Sequence, residues 1–329
     1  MSRALISGIT GFVGSHLAEY LLANTDWDIV GMCRWRSPLD NIQSFIPEIN
    51  KGGRVSLVYA DLRDGIAVRE AVEQANPSHV FHLAAQSYPK TSFSSPLDTL
   101  DVNIQGTVRL LDALRKHDAE IHVCSSSEVY GRAKSIPIAE DAPFHPASPY
   151  AVSKVGCDLM ARHYAEAYGL RVQVTRMFTH TGPRRGDVFA ESSFAKQVAM
   201  IEADMIPPVV KVGNLKSLRT IADVRDAVRA YHMLLTVNPI AGEVYNIGGN
   251  HTCTVGDILN TLLAMSSSKI EVEVDPQRLR PVDADLQVPD CTKFMNHTGW
   301  KPEIPFEQTM RDLLSFWRDR VKTYPVLNR

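Results

Sequence analysis

Tyr150 and Lys154 stand four residues apart in the run Ser-Pro-Tyr-Ala-Val-Ser-Lys, a spacing that puts both on one face of a helix. An ammonium beside a phenol favours the phenolate and pulls a pKa of about 10 towards neutrality, as a general base requires. Upstream, Ser125, Ser126 and Ser127 are followed directly by Glu128. Hydroxyl, carboxylate, phenol and ammonium together can move protons on and off a carbon that bears a hydroxyl. Each also has an ordinary reading, as a half-buried Tyr beside a solvated Lys or a serine-rich turn. The choice depends on the elements that would bring them together.

Pro149 suits the first position of a helix, where a missing N–H costs nothing, and the pattern predicts a helix over 149–168. The apolar run 121–124 reads as a strand whose tip delivers Ser125 to Glu128. At the other end of the chain, residues 3–7 read as a buried strand, followed by Gly8, Gly11 and Gly14 and then the helical pattern of Leu17, Ala18, Leu21 and Leu22. Strand, glycine turn and helix let a backbone approach a pyrophosphate and offer it free N–H groups at the positive end of a helix dipole. This is a candidate dinucleotide site, with Phe12 and Val13 in its first helical turn.

A second strand over 28–33 ends at Arg34-Trp35-Arg36, where an acidic residue would hold a ribose 2′-hydroxyl. Arginines there accommodate a 2′-phosphate, so NADP is expected, with NAD as the alternative. A strand over 55–60 ends at Asp61 and Leu62, and one over 79–83 ends at Leu83, Ala84, Ala85, Gln86 and Ser87. Asp61 would either hydrogen-bond an adenine or cap the next helix, and the small Ala84 and Ala85 leave room for a cofactor. A helical pattern over 100–116 and a sixth strand over 171–177 complete an alternating order. That order predicts an α/β fold with a doubly wound parallel (Rossmann) sheet, whose ligands gather at the carboxyl ends of the strands.

The chain has 329 residues, a net charge of −2 and a pI near 6.6. That length supports a large core, and interspersed charges give no footprint for nucleic acid or an anionic membrane. Five scattered cysteines form no Cys-x-x-Cys or Cys/His spacing, so no metal site is expected. No run of about 18 apolar residues appears, and the first residues carry no signal-like apolar stretch. The expected home is the cytoplasm.

Gly8-x-x-Gly11-x-x-Gly14, Asp61-Leu62, His82-Leu-Ala-Ala-Gln86, Ser126 and Tyr150-x-x-x-Lys154 occur in an order and spacing that resemble the extended short-chain dehydrogenase/reductases, NAD(P)-dependent epimerases and dehydratases. Within them the chain is most similar to the GDP-mannose 4,6-dehydratases and the GDP-4-keto-6-deoxy-mannose reductases. Ser-Ser-Ser-Glu-Val-Tyr-Gly at 125–131 looks like the dehydratases' Ser-Thr-Ser-Glu-Leu-Tyr-Gly, and the segments 183–186, 212–219 and 279–281 look like their sugar-nucleotide segments. Departures are Phe12-Val13 for Gln-Asp, Thr179-His180 for Asn-His, and Ala190-Glu191-Ser192-Ser193 for Val-Thr-Arg-Lys. Phe194-Ala-Lys-Gln197 and the form of the glycine turn look more like the reductases.

The resemblance implies catalytic roles for Ser126, Glu128, Tyr150 and Lys154. It implies cofactor contacts from the glycine turn, Arg34, Arg36, Asp61, Leu62, residues 83–86, Tyr150, Lys154 and His180. Substrate contacts would come from Ser87, Ser126, Thr179, Arg184, Arg185, Arg219 and Arg280, the arginines either gripping a diphosphate or making surface salt bridges. The implied substrate is a nucleotide sugar, with a GDP-sugar favoured. The expected organisation is a cofactor domain over 1–178 plus about 220–248, and a smaller discontinuous lobe over 179–219 and 249–329, with helices over 255–264 and 306–321 closing it.

Three activities follow as expectations. In a 4,6-dehydratase with internal hydride transfer, Tyr150 takes the 4-hydroxyl proton, and Glu128 with Ser126 expels water across C5 and C6. In a 4-ketosugar reductase, Tyr150 donates a proton once and NAD(P)H is consumed. An NADP-sensing scaffold would need no chemistry at all. Leu110, Leu114, Met160 and Tyr164 supply an apolar face that is either core or the contact of a homodimer or homotetramer.

Overall fold

The computed structural model describes residues 2–279, 284–324 and 326–327. Six strands, β1 (Arg3–Ser7), β2 (Asp28–Cys33), β3 (Val55–Tyr59), β4 (His79–His82), β5 (Glu120–Cys124) and β6 (Arg171–Met177), join Val244–Ile247 in one seven-stranded sheet. The order is Val244–Ile247, β6, β5, β4, β1, β2, β3, and every neighbour is parallel. This is the α/β, doubly wound arrangement expected from the alternation of strands and helices.

Successive side chains of a strand face opposite ways, so a parallel sheet covered on both sides needs apolar residues in unbroken runs. Ile6 and Phe81 accordingly pack with Leu17, Leu21, Val228 and Tyr231 on one face. Leu5, Val80 and Ile121 pack with Leu110, Leu114 and Cys157 on the other. Burying each such Leu or Ile contributes about 1.5–3 kcal/mol.

One sequence expectation changes here and one open alternative closes. The helical stretch near 100–116 is Pro96–Leu100, a π-helical turn Asp101–Gln105, and Gly106–Leu114. Leu110, Leu114 and Tyr164 are buried inside the chain, with Met160 packed against the same cluster. Of the two readings of this face, core or oligomer contact, the packing supports core.

The remaining chain forms a second layer beyond the strand tips. Leu218–Asp223 is paired antiparallel with His251–Thr254 on one side, and parallel with His180–Thr181 and Leu286–Gln287 on the other. Val209–Val212 pairs with Glu271–Val274. Helices Ala190–Glu202, Val255–Ala264 and Phe306–Thr323 enclose a third core of Phe194, Val198, Ile258, Leu262, Leu313 and Trp317. Val255–Ala264 starts at a capping box between Thr254 and Asp257, which satisfies two otherwise orphaned amides.

Candidate active site

At the tip of β1 the Gly8 N–H donates to the Met32 carbonyl at 2.8 Å with φ at 79°. A Cβ at position 8 would stand 3.0 Å from the Ala84 backbone, so the turn and the β4 tip touch only because both are small. Helix α1 (Phe12–Asn24) begins at Gly11 with no side-chain cap and no acidic residue in its first turn. Its leading amides have no helical partner and suit an anion. Leu83, Ala84 and Ala85 are half-buried beside this turn, and Arg34, Trp35 and Arg36 are exposed at the β2 tip. These residues fit a dinucleotide.

Asp61 is not the helix cap that one of its two sequence readings made it. Its carboxylate accepts from Arg63 at 2.8 and 3.1 Å, and these bonds hold its pKa below the usual range. Asp64, not Asp61, caps the helix Gly65–Ala75.

The β4 tip is fixed by groups that the sequence motif did not reveal. Ser7 Oγ accepts the amides of Leu83 and Ala84, both at 3.1 Å, and meets His82 Nδ1 at 2.8 Å. Gln86 donates its backbone N–H to Asn103 Oδ1 at 2.8 Å and accepts from Asn103 Nδ2 at 3.0 Å. Asn103 Nδ2 also meets Ser153 Oγ at 2.8 Å, and Ser153 donates to the Tyr150 carbonyl at 2.7 Å. The π turn thus lets one amide tie the β4 loop to the helix bearing Tyr150, a use of such turns seen at functional sites. Gln86 spends its side chain on Thr99 and the Tyr88 backbone, while Ser87 is exposed.

Beyond β5, Ser126 caps the 3₁₀ turn Ser127–Val129 by accepting the Glu128 amide at 3.2 Å. Helix Pro149–Tyr168 starts at Ser148, which accepts from Ala151 at 3.1 Å, with Pro149 first inside and Gly169 closing it in the left-handed region. This helix turns Tyr150 and Lys154 towards the β5 tip. The Tyr150 phenol lies near enough to Lys154, Ser126 and Glu128 for all three to act on its ionisation. Lys154 Nζ lies 6.0 Å from the Tyr150 ring centre. The four groups read as chemical therefore converge.

The direction of the Tyr150 shift differs from expectation. Burial raises its pKa more than Lys154 lowers it, and the balance lies above the ordinary value. Spacing alone reports the ammonium but not the dry surroundings that oppose it.

The remaining candidates separate. His180 stacks on Phe12 at 5.7 Å between ring centres and is pushed down to about 3, chiefly by burial. Thr179 holds the lobe strand through its carbonyl, which accepts from Ala222 at 2.9 Å. Arg185 is half-buried against Phe189, 3.4 Å from its ring centre, and pairs with Glu191 at 3.3 Å. It shares an electrostatic contact with Tyr150, and burial lowers its pKa. Arg184 instead binds Glu19 at 2.6 Å and the Asn41 carbonyl at 3.4 Å. Arg219 is half-buried on Leu218–Asp223. Arg280 lies outside the described residues.

Behind the site, Arg176 forms a buried fork with Asp158 at 2.8 and 3.2 Å and donates to the Tyr130 hydroxyl at 2.9 Å. Tyr130 in turn donates to Asn246 at 2.8 Å. This network fixes the segment after Glu128, and its members are too far apart in sequence to be recognised by spacing. Among the described residues no cluster of three metal-ligating side chains occurs, and no helix is long and apolar enough to cross a membrane.

The family model for GDP-mannose 4,6 dehydratase matches residues 5–313. A GDP-6-deoxy-D-mannose reductase of Pseudomonas aeruginosa is 31% identical over 327 residues, covering 97% of this chain and 98% of its own. A GDP-mannose 4,6-dehydratase of Yersinia enterocolitica is 31% identical over 365 residues, covering 99% and 96%. A solved structure of RMD from Pseudomonas aeruginosa complexed with NADPH superposes with a TM-score of 0.82 at 30% identity, over 97% of this chain and 100% of that one. The doubly wound parallel sheet agrees with these matches, and the chain belongs to the GDP-mannose 4,6 dehydratase family of extended short-chain dehydrogenase/reductases.

Proposed function

We propose that the protein is an NADP-dependent nucleotide-sugar 4,6-dehydratase converting GDP-mannose to GDP-4-keto-6-deoxy-mannose. The observation that carries this reading is the carboxylate of Glu128 within electrostatic reach of Tyr150 and next to Ser126. A ketone reduction needs one proton donor, whereas dehydration also needs a group that takes a proton from carbon.

The cofactor would be held by the amides of Phe12 and Val13 at the glycine turn, with Arg34 and Arg36 at the 2′-phosphate, on a unit built from 1–178 and about 220–248. Bound there, NADP supplies a hydride acceptor and then a hydride donor. Tyr150 takes the proton of the sugar 4-hydroxyl, and Lys154 holds the resulting phenolate charge. The 4-ketone acidifies the C5 hydrogen, which Glu128 removes, while Ser126 helps the 6-hydroxyl leave as water. Arg185 and Arg219 would meet the diphosphate, with Thr179 and Ser87 at its margin. The site would work in a homodimer or homotetramer.

A second reading, a reductase acting on the 4-ketosugar, is favoured by the Phe12-Val13 turn and by the end-to-end match to the Pseudomonas reductase. Incubation of the purified protein with GDP-mannose, followed by mass spectrometry and NADPH absorbance, separates the two. Loss of one water with no net NADPH change supports the dehydratase. Stoichiometric NADPH consumption on the 4-ketosugar, with GDP-mannose untouched, replaces it by the reductase.

A further inference from the structure

Asp158 and Arg176 form an ion pair with both side chains nearly sealed from solvent, at 0% and 3% exposure. A pair so deeply buried loses most of its attraction to lost hydration, and apolar residues of similar size hold a fold about as well. What such a pair does hold is a geometry, because a guanidinium is a rigid planar fork. Asp158 lies four residues after Lys154 and eight after Tyr150 on helix Pro149–Tyr168, a spacing that keeps all three along one face.

From Arg176 the bonds cross to the segment of Glu128. Nη1 donates to the Tyr130 hydroxyl at 2.9 Å and to the Glu140 carbonyl at 2.6 Å, and the hydroxyl donates onward to Asn246 Oδ1 at 2.8 Å. Tyr130 is fully buried and closes the 3₁₀ turn that carries Glu128. Its N–H donates to the Ser127 carbonyl at 3.1 Å, and the next amide, Gly131, donates to the Glu128 carbonyl at 3.1 Å. Val155, directly after Lys154, packs on the cluster of Val129, Tyr130, Ile138 and Phe178. Glu128 on one segment, and Tyr150 with Lys154 on the other, are thus joined behind the site by a polar link that runs through one hydroxyl.

We propose that Tyr130 is a positioning residue that holds the Glu128 carboxylate at its working place opposite Tyr150, with Arg176 as its anchor to the helix of Tyr150 and Lys154. This rests on the dehydratase reading of Glu128 above. Removing the hydroxyl leaves the ring in its apolar cluster and the fork between Arg176 and Asp158 intact, so Tyr150 and Lys154 stay in place. The turn carrying Glu128 loses its polar anchor, and misplacing a reacting group by about 1 Å costs up to about a hundredfold in rate.

Tyr130→Phe, Glu128→Gln and the double variant form a cycle, read on the NADP-loaded protein by the kcat and KM of water loss from GDP-mannose, alongside thermal unfolding. Tyr130→Phe is expected to lower kcat about 10- to 100-fold with KM nearly unchanged, the pattern of an interaction that matters in the transition state. In the Glu128→Gln background the same exchange is expected to leave kcat where it was, because the group that Tyr130 positions is already gone. An equal fall in both backgrounds overturns the proposal, since Tyr130 then acts on the fold or on Tyr150 and not through Glu128. Unchanged kcat in Tyr130→Phe overturns it as well. Where Tyr130→Phe does not fold, Asn246→Ala releases the same hydroxyl from its other end, and the cycle is run with that variant under the same criteria. Wild-type protein that expels no water from GDP-mannose overturns the proposal together with the dehydratase reading, whereas water loss with an additive cycle overturns the proposal alone.

Discussion

Lys154 Nζ donates to the carbonyl oxygen of Cys124 at 2.7 Å, tying the helix that bears Tyr150 to the last residue of β5. The bond fixes the ammonium near the Tyr150 ring and sets the balance on the phenol, where burial raises the pKa and Lys154 opposes it. Lys154→Met leaves burial unopposed. The ionisation that governs the rise of kcat/KM with pH should move up by about 1–3 units, the usual effect of an opposite charge at this range. Tyr150→Phe should lower kcat by about 10²–10⁴ while leaving NADP binding intact. An unchanged pH profile in the lysine variant would remove Lys154 from any role in tuning Tyr150.

Glu128→Gln keeps the shape and the amide bond to Ser126 but removes the proton acceptor. In the dehydratase reading, water loss from GDP-mannose should fall by about 10²–10⁴. Reduction of a supplied 4-ketosugar, which draws its proton from Tyr150, should fall by much less. Product analysis by mass spectrometry measures the first and NADPH absorbance the second. Equal loss of both would show that Glu128 positions substrate for either reaction and is not the C5 base.

Arg34 and Arg36 flank Trp35, which is 77% exposed and meets Tyr59 edge-on at 4.7 Å. The other tryptophans, Trp27, Trp300 and Trp317, are buried, so acrylamide quenching reports chiefly on this loop. NADP binding to the arginines should shield Trp35 and reduce quenching. Exchanging Arg34 and Arg36 for Ala should abolish the shielding and weaken NADP far more than NAD. Equal loss of the two cofactors would place the 2′-phosphate elsewhere.

The parallel sheet, the glycine turn and the Ser126, Glu128, Tyr150 and Lys154 group were legible because each is written in contiguous residues with a local physical meaning. Helix Ala190–Glu202 was not, since every residue from Glu191 to Ile201 is buried and its polar members, among them Lys196 and Gln197, hide the apolar periodicity. The π turn at Asp101–Gln105 escaped for a different reason: it arises from the bonds Asn103 makes to Gln86 and Ser153, which lie far away in sequence. Leu110, Leu114 and Tyr164 carried an apolar pattern that fits core and interface alike, and only the packing of β4 and β5 against them decided it.

The buried histidines predict how stability responds to acid. His82 is 4% exposed and His122 is fully buried. Ser7 Oγ already accepts two amides, so its hydrogen points at His82 Nδ1, and His82 Nε2–H is directed to Thr107 Oγ1 at 3.0 Å. Protonating Nδ1 would set two donors against each other. His122 meets Thr175 Oγ1 at 2.8 Å, and both rings also feel Lys154. Burial, the main cause, pushes each from 6.5 down to about 3. Below pH 6.5 the unfolded chain takes protons that the folded chain refuses. The stability these residues contribute is therefore complete above pH 6.5 and declines as pH falls towards about 3. Two refused protons correspond to about 2.7 kcal/mol per pH unit within that window. Urea unfolding at a series of pH values between these limits should show a slope of at least this size, because His180 is also pushed down to about 3, and His122→Gln should reduce it by about 1.4 kcal/mol per pH unit. A slope unchanged by His122→Gln would mean that this ring titrates normally in the folded protein.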